Sequence, residues 1–124
     1  MTAHYPGLAP IETYGGGGFS FAGMSHRGSI LALPSGIYAW DPNPDLLTLA
    51  DFERVLAEKD SFDHLIIGMG RDMARPPRPV REALVAAGLM IDSMATGHAV
   101  STYNLLLEEK RRVAAALIVV DRPA

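Results

Sequence analysis

The sequence contains no cysteine, and this absence excludes several kinds of chemistry. Without cysteine there is no disulfide, no thiol nucleophile and no thiolate ligand for a metal ion. Long apolar runs are also missing, since the longest one, residues 113–120, is far shorter than a membrane-spanning helix. The first residues have neither the pattern of a secretory signal nor that of a mitochondrial presequence. These absences predict a cytoplasmic protein without a transmembrane segment.

A surplus of basic residues is missing as well. Lysine and arginine total 11 against 14 acidic residues, so the formal charge of −3 argues against nucleic acid or an anionic membrane as partner. Apolar residues make up 48% of the 124 positions, enough to offset the entropy cost of ordering one core. The length therefore predicts a single domain over residues 1–124, with residues 1–10 as an extended lead-in that contains Pro6 and Pro10.

The order of the predicted elements indicates an α/β fold. In the first half, residues 19–21 and 29–33 have the composition of two strands, and the turn-like residues 25–28 between them predict an N-terminal β-hairpin. In the second half, apolar strands alternate with helices, a pattern typical of parallel strands joined by right-handed crossovers. The sequence thus predicts a mixed sheet of about five strands with helices packed on its faces.

Two of the predicted helices have defined ends. One covers residues 80–87 and ends at Gly88, because glycine readily adopts the left-handed conformation that closes a helix. The other runs to residue 110, and Thr96 is predicted to be its N-cap. Asn104 falls in the middle of this helix, where asparagine is unfavourable, so we expect its side chain to tie down a neighbouring loop.

Gly68 and Gly70 lie between a predicted buried strand and a helix, a position at which α/β proteins bind phosphate groups. They match the first half of the dinucleotide-binding fingerprint, and Asp92 could be its acidic residue, but Met73 replaces the third glycine. The glycines at 15–18 precede a strand rather than a helix, which disfavours a phosphate loop there. No nucleotide cofactor is therefore expected.

Four arginines lie in or next to the loop that follows Gly70: Arg71, Arg75, Arg78 and Arg81. Arginine is a forked donor suited to carboxylate or phosphate, so this loop is a candidate site for an anionic group. The alternative is a solvated loop whose arginines pair with nearby carboxylates, namely Asp72, Glu82 and Asp92. Both interpretations are open at this point.

A catalytic constellation is not evident. A Ser–His–Asp set can be written with Ser101, His98 and Asp92, but Ser101 lies on the same helix as His98 and has no nucleophile elbow. The four histidines form no metal-binding pattern. We therefore assign no catalytic residue, no metal and no cofactor, and the sequence favours a non-enzymatic role.

Several segments, taken in order along the chain, form a more specific pattern than any one of them. They are residues 14–21, 28–31, 40, 65–70, 88–89, 92–96, 102–104 and 112–117. The series resembles a family of small conserved proteins of unknown function from bacteria and archaea. Its eukaryotic relatives include assembly factor 3 of mitochondrial NADH:ubiquinone oxidoreductase and an adipogenesis-associated protein. The resemblance implies a three-layer α/β/α domain with a mixed, mostly parallel five-stranded sheet, in agreement with the order of elements.

The resemblance also implies a function, although no enzyme activity is established for the family. It implies a protein-binding module that assists the assembly of a protein complex, such as a respiratory complex. A family pattern of small, polar and aromatic residues falls on Thr96, Ala99, Thr102, Tyr103 and Asn104. One departure is Lys110, where relatives often carry glycine, and it leaves the geometry of this helix end open.

The candidate binding residues are Gly68, Gly70, Arg71, Arg75, Asp92, Thr96, Thr102 and Asn104. We expect a protein partner to contact this set. The alternative is a small anionic ligand, bound or acted upon, with Arg71 and Arg75 as clamps and the backbone of residues 68–70 as its cradle.

Overall fold

The computed structural model describes residues 4–121; residues 1–3, which begin the predicted lead-in, and residues 122–124 lie outside the described part. Its strands are β1 Ile11–Gly15, β2 Gly18–Phe21, β3 Met24–Arg27, β4 Ser29–Leu33, β5 Gly36–Trp40, β6 His64–Gly68, β7 Met90–Met94 and β8 Val113–Leu117. Its helices are α1 Glu53–Ala57, α2 Arg78–Ala86 and α3 Thr96–Glu108, with short 3₁₀ helices at Leu49–Phe52 and Lys59–Ser61.

The main sheet has five strands in the order β5-β4-β8-β6-β7. The pairs β8/β6 and β6/β7 are parallel, whereas β4 runs antiparallel to both β5 and β8. Helix α2 connects β6 to β7, and α3 leads from β7 past β6 to β8, because parallel strands of one sheet need a crossover between them. The predicted mixed five-stranded α/β fold is confirmed.

The predicted N-terminal hairpin has different partners in the structure. Strand β4 pairs with β5, with Ser29 opposite Trp40, and not with residues 19–21. Those residues lie in β2, the central strand of a separate antiparallel sheet of order β1-β2-β3. The segment expected to be a turn contains most of β3, whose exposed residues follow no apolar alternation. Pairing with β2 creates this strand, so local composition could not predict it.

Alternating side chains of the main sheet build two cores. Leu31, Leu65 and Ile67 point to the side of α1 and α2, where they pack with Phe52 and Leu84. On the other side, Ile30, Ile66 and Leu117 pack with Tyr103 of α3 and with Phe21 of the small sheet. The sheet is therefore covered on both faces, as its continuously apolar strands predict.

The helix ends follow their backbone conformations. Gly88 follows the C-cap of α2 with a φ of 93°, which confirms its predicted role, although α2 begins two residues earlier than predicted. Lys110 follows the C-cap of α3 with a φ of 64°, so the left-handed closure is retained without glycine. Within residues 4–121, none of the helices has the length and apolar character needed to cross a membrane.

The two edges of the main sheet differ. Along β5, Ile37 accepts the N–H of His4 (2.7 Å) and donates to the carbonyl of Tyr5 (2.9 Å), so the lead-in covers this edge. Strand β7 forms the other edge and pairs only with β6 in the part of the chain that is described. One edge is thus protected by the chain itself and the other is open.

Candidate functional site

The carboxyl end of β6 is bonded directly to the start of α3. Gly70 donates its N–H to Thr96 Oγ1 (2.9 Å), and the carbonyl of Gly70 accepts the N–H of Thr96 (2.8 Å). The same threonine hydroxyl donates to the carbonyl of Ile118 (2.7 Å), which follows β8. Thr96 is fully buried. We call Gly68, Gly70, Thr96 and Ile118 the strand-end junction, because they join the ends of neighbouring strands to one helix.

Position 68 of this junction is a glycine because the neighbouring atoms leave no room for a side chain. A Cβ atom on Gly68 would lie 3.0 Å from Thr96 Oγ1 and 3.1 Å from Leu117 Cδ2, both tighter than ordinary contacts. The carbonyl of Gly68 accepts the N–H of Ile118 (2.9 Å). Close approach of the backbone therefore accounts for this glycine without a ligand.

The prediction that Thr96 is the N-cap of α3 is wrong. Ala95 occupies the cap position, and Thr96 is the first helical residue. Its hydroxyl bonds to Gly70 and Ile118 instead, since these buried backbone groups would otherwise have no partner.

The backbone amides expected to cradle an anion are already bonded. Met69 donates to the carbonyl of Met94 (2.8 Å), and Gly70 donates to Thr96 Oγ1 (2.9 Å). In this conformation neither N–H is free to bind a phosphate or carboxylate. At this end of the sheet, the candidate groups for an anion are therefore the arginine side chains and not these two amides.

The polar residues further along α3 hold the N-terminal segment. Asn104 accepts the N–H of Ile11 (2.8 Å) and donates to its carbonyl (2.9 Å), which confirms that its side chain ties a neighbouring segment. Tyr103 donates its hydroxyl to the carbonyl of Ala9 (2.9 Å), and burial raises the pKa of Tyr103 well above its usual range. These bonds explain two polar residues in mid-helix.

Thr102 packs against the end of β7. Its hydroxyl lies 3.6 Å from Met94 Sδ, a weak hydrogen bond to sulfur. Thr102 and Asn104 are both half-buried. The structure therefore gives each of these predicted site residues a contact within the fold.

The arginine loop divides into paired and unpaired side chains. Arg78 Nε lies 3.6 Å from Glu82 Oε1, one turn along α2. Among residues 4–121, no carboxylate oxygen lies within 4.0 Å of the guanidinium group of Arg71, Arg75 or Arg81. Arg81 donates from Nε to the carbonyl of Pro76 (3.0 Å), which fixes its position at the start of α2.

An open cleft lies between α2 and β7 and has a volume of about 640 Å³. Arg75, Arg81 and Glu82 supply its charged groups on the side of α2. We call this space the α2–β7 cleft, and its lining residues are Arg75, Arg81, Glu82, Val85, Ala86, Ile91, Asp92 and Ser93. The cleft therefore combines unpaired guanidinium groups with apolar surface.

Asp92 is held by a histidine of the neighbouring strand. Its Oδ2 lies 2.6 Å from His64 Nε2, and the carboxylate is 58% exposed. Ser101 bonds instead to the carbonyl of Gly97 (3.4 Å), and His98 is exposed. The sequence could indicate neither the His64–Asp92 contact nor its place beside the cleft, because the two residues lie 28 positions apart.

The predicted site residues thus fall into separate groups. Gly68, Gly70 and Thr96 meet in the strand-end junction, whereas Arg75 and Asp92 line the α2–β7 cleft. Arg71 is exposed on the loop between them. Sequence reasoning missed the cleft residues Val85 and Ser93, although the polar residues of β7 were a signal that this strand lies at an edge.

No cluster of three or more metal-ligating side chains occurs within residues 4–121. The nearest approach to a pair of imidazole ligands is His4 beside His26, with ring centroids 4.6 Å apart. Burial and the proximity of His4 lower the pKa of His26. Both rings lie at the small sheet and the lead-in, away from the cleft residues.

The fold defines the class of protein: a three-layer α/β/α domain with a mixed five-stranded sheet and a small antiparallel sheet beside it. A family model described as "Protein of unknown function (DUF498/DUF598)" matches residues 11–118. The chain belongs to this family.

Relatives and solved structures agree with this assignment. The chain is 40% identical over 121 residues to an uncharacterised protein of Rhodobacter capsulatus, covering 95% of this chain and 93% of that protein. It is 50% identical to a protein whose crystal structure is described as that of an outer membrane protein from Bartonella henselae. That match has a TM-score of 0.91 and covers 94% of this chain and 99% of the other.

A more distant relative carries a functional name. NADH dehydrogenase [ubiquinone] 1 alpha subcomplex assembly factor 3 of Mus musculus is 24% identical over 119 residues. The match covers 95% of this chain but 64% of the mouse protein, so this chain spans less than two thirds of that relative. The resemblance to assembly-factor relatives that the sequence indicated is confirmed.

Proposed function

We propose that this protein is a non-enzymatic protein-binding module that assists the assembly of a protein complex, with a respiratory complex as the foremost candidate. The α2–β7 cleft carries this proposal. It holds Arg75 and Arg81 without a carboxylate partner among residues 4–121, and Val85 beside them is 57% exposed. Arginine next to exposed apolar surface is typical of surfaces that bind proteins.

The distant relative supports the assembly part of the proposal. The match between this chain and the mouse assembly factor covers 95% of this chain, so the two proteins share the whole domain rather than a single motif. The remaining part of the mouse factor has no counterpart in the match. We therefore assign to this domain the binding step and not every activity of the longer protein.

The predicted site residues have two roles in this proposal. Arg71 and Arg75 are exposed and contact acidic groups of the partner, and Asp92 borders the same surface. Gly68, Gly70 and Thr96 fix the direction in which the arginine loop leaves β6. Changes to the arginines should therefore weaken binding without weakening the fold.

Affinity capture after gentle crosslinking in native cells tests the proposal. We expect a reproducible partner to co-purify with the tagged protein and to be lost from an Arg71→Glu, Arg75→Glu variant. The matched control is Arg27→Glu, Arg111→Glu, which makes the same charge change at two exposed arginines outside the cleft. Absence of any partner, with the protein shown to be folded, would contradict the proposal.

A small anionic ligand is the second candidate, and the pair of unpaired arginines in a cleft of about 640 Å³ favours it. Thermal unfolding with inorganic phosphate, nucleotides and simple carboxylates tests this candidate. A compound at a hundredfold its dissociation constant should stabilise the protein by about 2.7 kcal/mol. If no compound moves the unfolding midpoint, the small-molecule function is excluded for those classes.

We include a cytoplasmic location in the proposal. The alternative location is the outer membrane, because a relative from Bartonella henselae is described as an outer membrane protein. Cell fractionation of the untagged protein separates the two. Recovery in the cytosolic fraction would agree with the proposal. Recovery in washed outer membranes would contradict this part of it.

A further inference from the structure

The open edge of the main sheet presents backbone groups from alternate residues of β7. Met90 donates to the carbonyl of Asp63 (3.0 Å), and Met94 accepts the N–H of Met69 (2.8 Å). In a parallel ladder both backbone groups of such a residue face the same neighbour, so Met90, Asp92 and Met94 face β6. The N–H and C=O groups of Ile91 and Ser93 must therefore face outward, and neither residue forms another backbone hydrogen bond within residues 4–121.

The side chains beside this edge fit an added strand rather than open solvent. Ile91 and Ser93 line the α2–β7 cleft, together with Val85 of α2. Val85 is 57% exposed, so apolar surface is accessible next to the edge. An extended segment paired with Ile91 and Ser93 would place alternate side chains over this apolar surface.

Proteins usually protect an open edge with a charged side chain, and Asp92 is the one charged residue of β7. Its carboxylate is bonded to His64 of β6 at 2.6 Å, so it is directed along the sheet and not across the edge. This contact leaves the outward groups of Ile91 and Ser93 accessible. The charged side chain that would usually protect the edge, Asp92, is thus directed away from it.

The charge of the cleft indicates what kind of segment would bind. The cleft also contains two carboxylates, but Glu82 lies 3.6 Å from Arg78 and Asp92 lies 2.6 Å from His64. Arg75 and Arg81 have no carboxylate within 4.0 Å among residues 4–121, and they line the same cleft as Ile91 and Ser93. An acidic side chain on the added strand would meet these guanidinium groups. The observations therefore favour an acidic segment with apolar residues at alternate positions.

A second copy of this chain is a poorer occupant. Antiparallel pairing of β7 with its own copy would place a two-fold axis perpendicular to the sheet, so both clefts would lie on the same side. The one acidic side chain that β7 of a second copy would bring to the edge is Asp92, and its carboxylate is already bonded to His64 at 2.6 Å. A second copy therefore supplies no free carboxylate from its paired strand for Arg75 and Arg81.

We infer that β7 is a docking edge at which an extended, acidic segment of a partner protein adds a sixth strand to the main sheet. The inference rests on the proposed protein-binding function and specifies its site and mode. Backbone bonds to Ile91 and Ser93 supply the pairing, and Arg75 and Arg81 select for the acidic side chain.

Selection from a random peptide library displayed on phage tests the mode directly. Enriched peptides should be acidic, lack proline in the paired segment and carry apolar residues at alternate positions. Ser93→Pro removes an outward N–H and no ladder bond, a change that an edge strand tolerates. It should weaken binding of an enriched synthetic peptide at least tenfold, whereas Ser93→Ala should bind within twofold of the parent.

The charge requirement has its own variants. Arg75→Glu, Arg81→Glu should weaken the same peptide at least tenfold, and the charge-matched Arg27→Glu, Arg111→Glu should not. Should Ser93→Pro fail to fold, hydrogen exchange on the unaltered protein decides the question. The amides of Ile91 and Ser93 should exchange rapidly alone and at least tenfold more slowly with the peptide.

The outcomes separate this inference from the proposed function. The docking edge would be overturned by peptides that bind the Ser93→Pro variant and the parent with equal affinity. It would also be overturned by peptides that leave the amide hydrogen exchange of Ile91 and Ser93 unchanged. If a captured partner still co-purifies with these variants, the proposed function is retained and the docking edge is refuted. A symmetric dimer that loses affinity for itself on Ser93→Pro would also overturn it in favour of a second copy.

Discussion

The strand-end junction and the α2–β7 cleft use their polar groups in opposite ways. At the junction, Gly70 and Thr96 bond to each other and leave no space beside Gly68. In the cleft, Arg75 and Arg81 have no carboxylate partner among residues 4–121, and β7 leaves backbone groups unpaired. The first region uses its polar groups to hold the fold, and the second has polar groups available for another molecule.

The difference explains why a sequence can mark both regions as one site. Glycine, threonine and arginine at the carboxyl ends of strands fit ligand binding in many α/β proteins. Only the bonding partners and burial separate them, since the fully buried hydroxyl of Thr96 has used its one donor on Ile118 and is closed to a ligand. The comparison therefore predicts loss of stability at the junction and loss of binding at the cleft.

Replacement of Thr96 by valine should produce the largest effect. It keeps the shape of the side chain but leaves the N–H of Gly70 and the carbonyl of Ile118 buried without a partner. We expect the free energy of unfolding to fall by about 3 kcal/mol. Thr96→Ser, which retains the hydroxyl, should lose only about 1 kcal/mol. Equal losses in urea titrations of the two variants would break the account of the junction.

Gly68→Ala should come next, with a loss of about 2 kcal/mol from overpacking. The added Cβ would lie 3.1 Å from Leu117 Cδ2, an atom that valine lacks. In the double variant Gly68→Ala, Leu117→Val, the loss should therefore be smaller than the sum of the two single losses. Strict additivity in denaturant unfolding would mean that Leu117 is not part of the steric constraint beside Gly68.

The opposite end of α3 should show a gain. Lys110 adopts a φ of 64°, a conformation that costs a residue with a Cβ about 1 kcal/mol. Lys110→Gly should therefore raise the free energy of unfolding by about 1 kcal/mol at most, because glycine also loses more entropy on folding. Lys110→Ala keeps the Cβ and should give no such gain. A gain from alanine equal to that from glycine would refute the role of backbone strain.

Arg75 of the cleft and Arg71 of the adjoining loop should give the smallest effect on stability. Arg71 and Arg75 are exposed and form no ion pair among residues 4–121, so Arg71→Glu, Arg75→Glu should change the free energy of unfolding by less than about 0.5 kcal/mol. The same variant should lose the captured partner. A loss of stability comparable to that of Thr96→Val would erase the distinction between the two regions.

The sequence predicts most of the fold because its signals are local. Continuous apolar strands with intervening helices indicate the parallel part of the sheet, and Gly88 indicates the end of α2. The N-terminal pairing was missed, because Met24–Arg27 is a strand only by virtue of its bonds to β2. Which strands neighbour each other in space is not encoded in the composition of either one.

The candidate site is less predictable for a related reason. The role of Asn104 could be predicted because asparagine is unfavourable in the middle of a helix. Its presence there indicates that the side chain has a bonding partner elsewhere. The role of Thr96 depends on Ile118, which lies 22 positions away, and the helix-capping rule therefore gave the wrong partner. The edge position of β7 likewise depends on the order of all five strands.

Residue-resolved amide hydrogen exchange of the unbound protein tests the contrast between junction and cleft most directly. The account predicts that the Gly70 amide, bonded to a buried hydroxyl, exchanges only through opening close to global unfolding. The outward amides of Ile91 and Ser93 should exchange with little protection, because their donors face the open edge. Rapid exchange at Gly70, or protection at Ile91 and Ser93 equal to that of Gly70, would contradict the account.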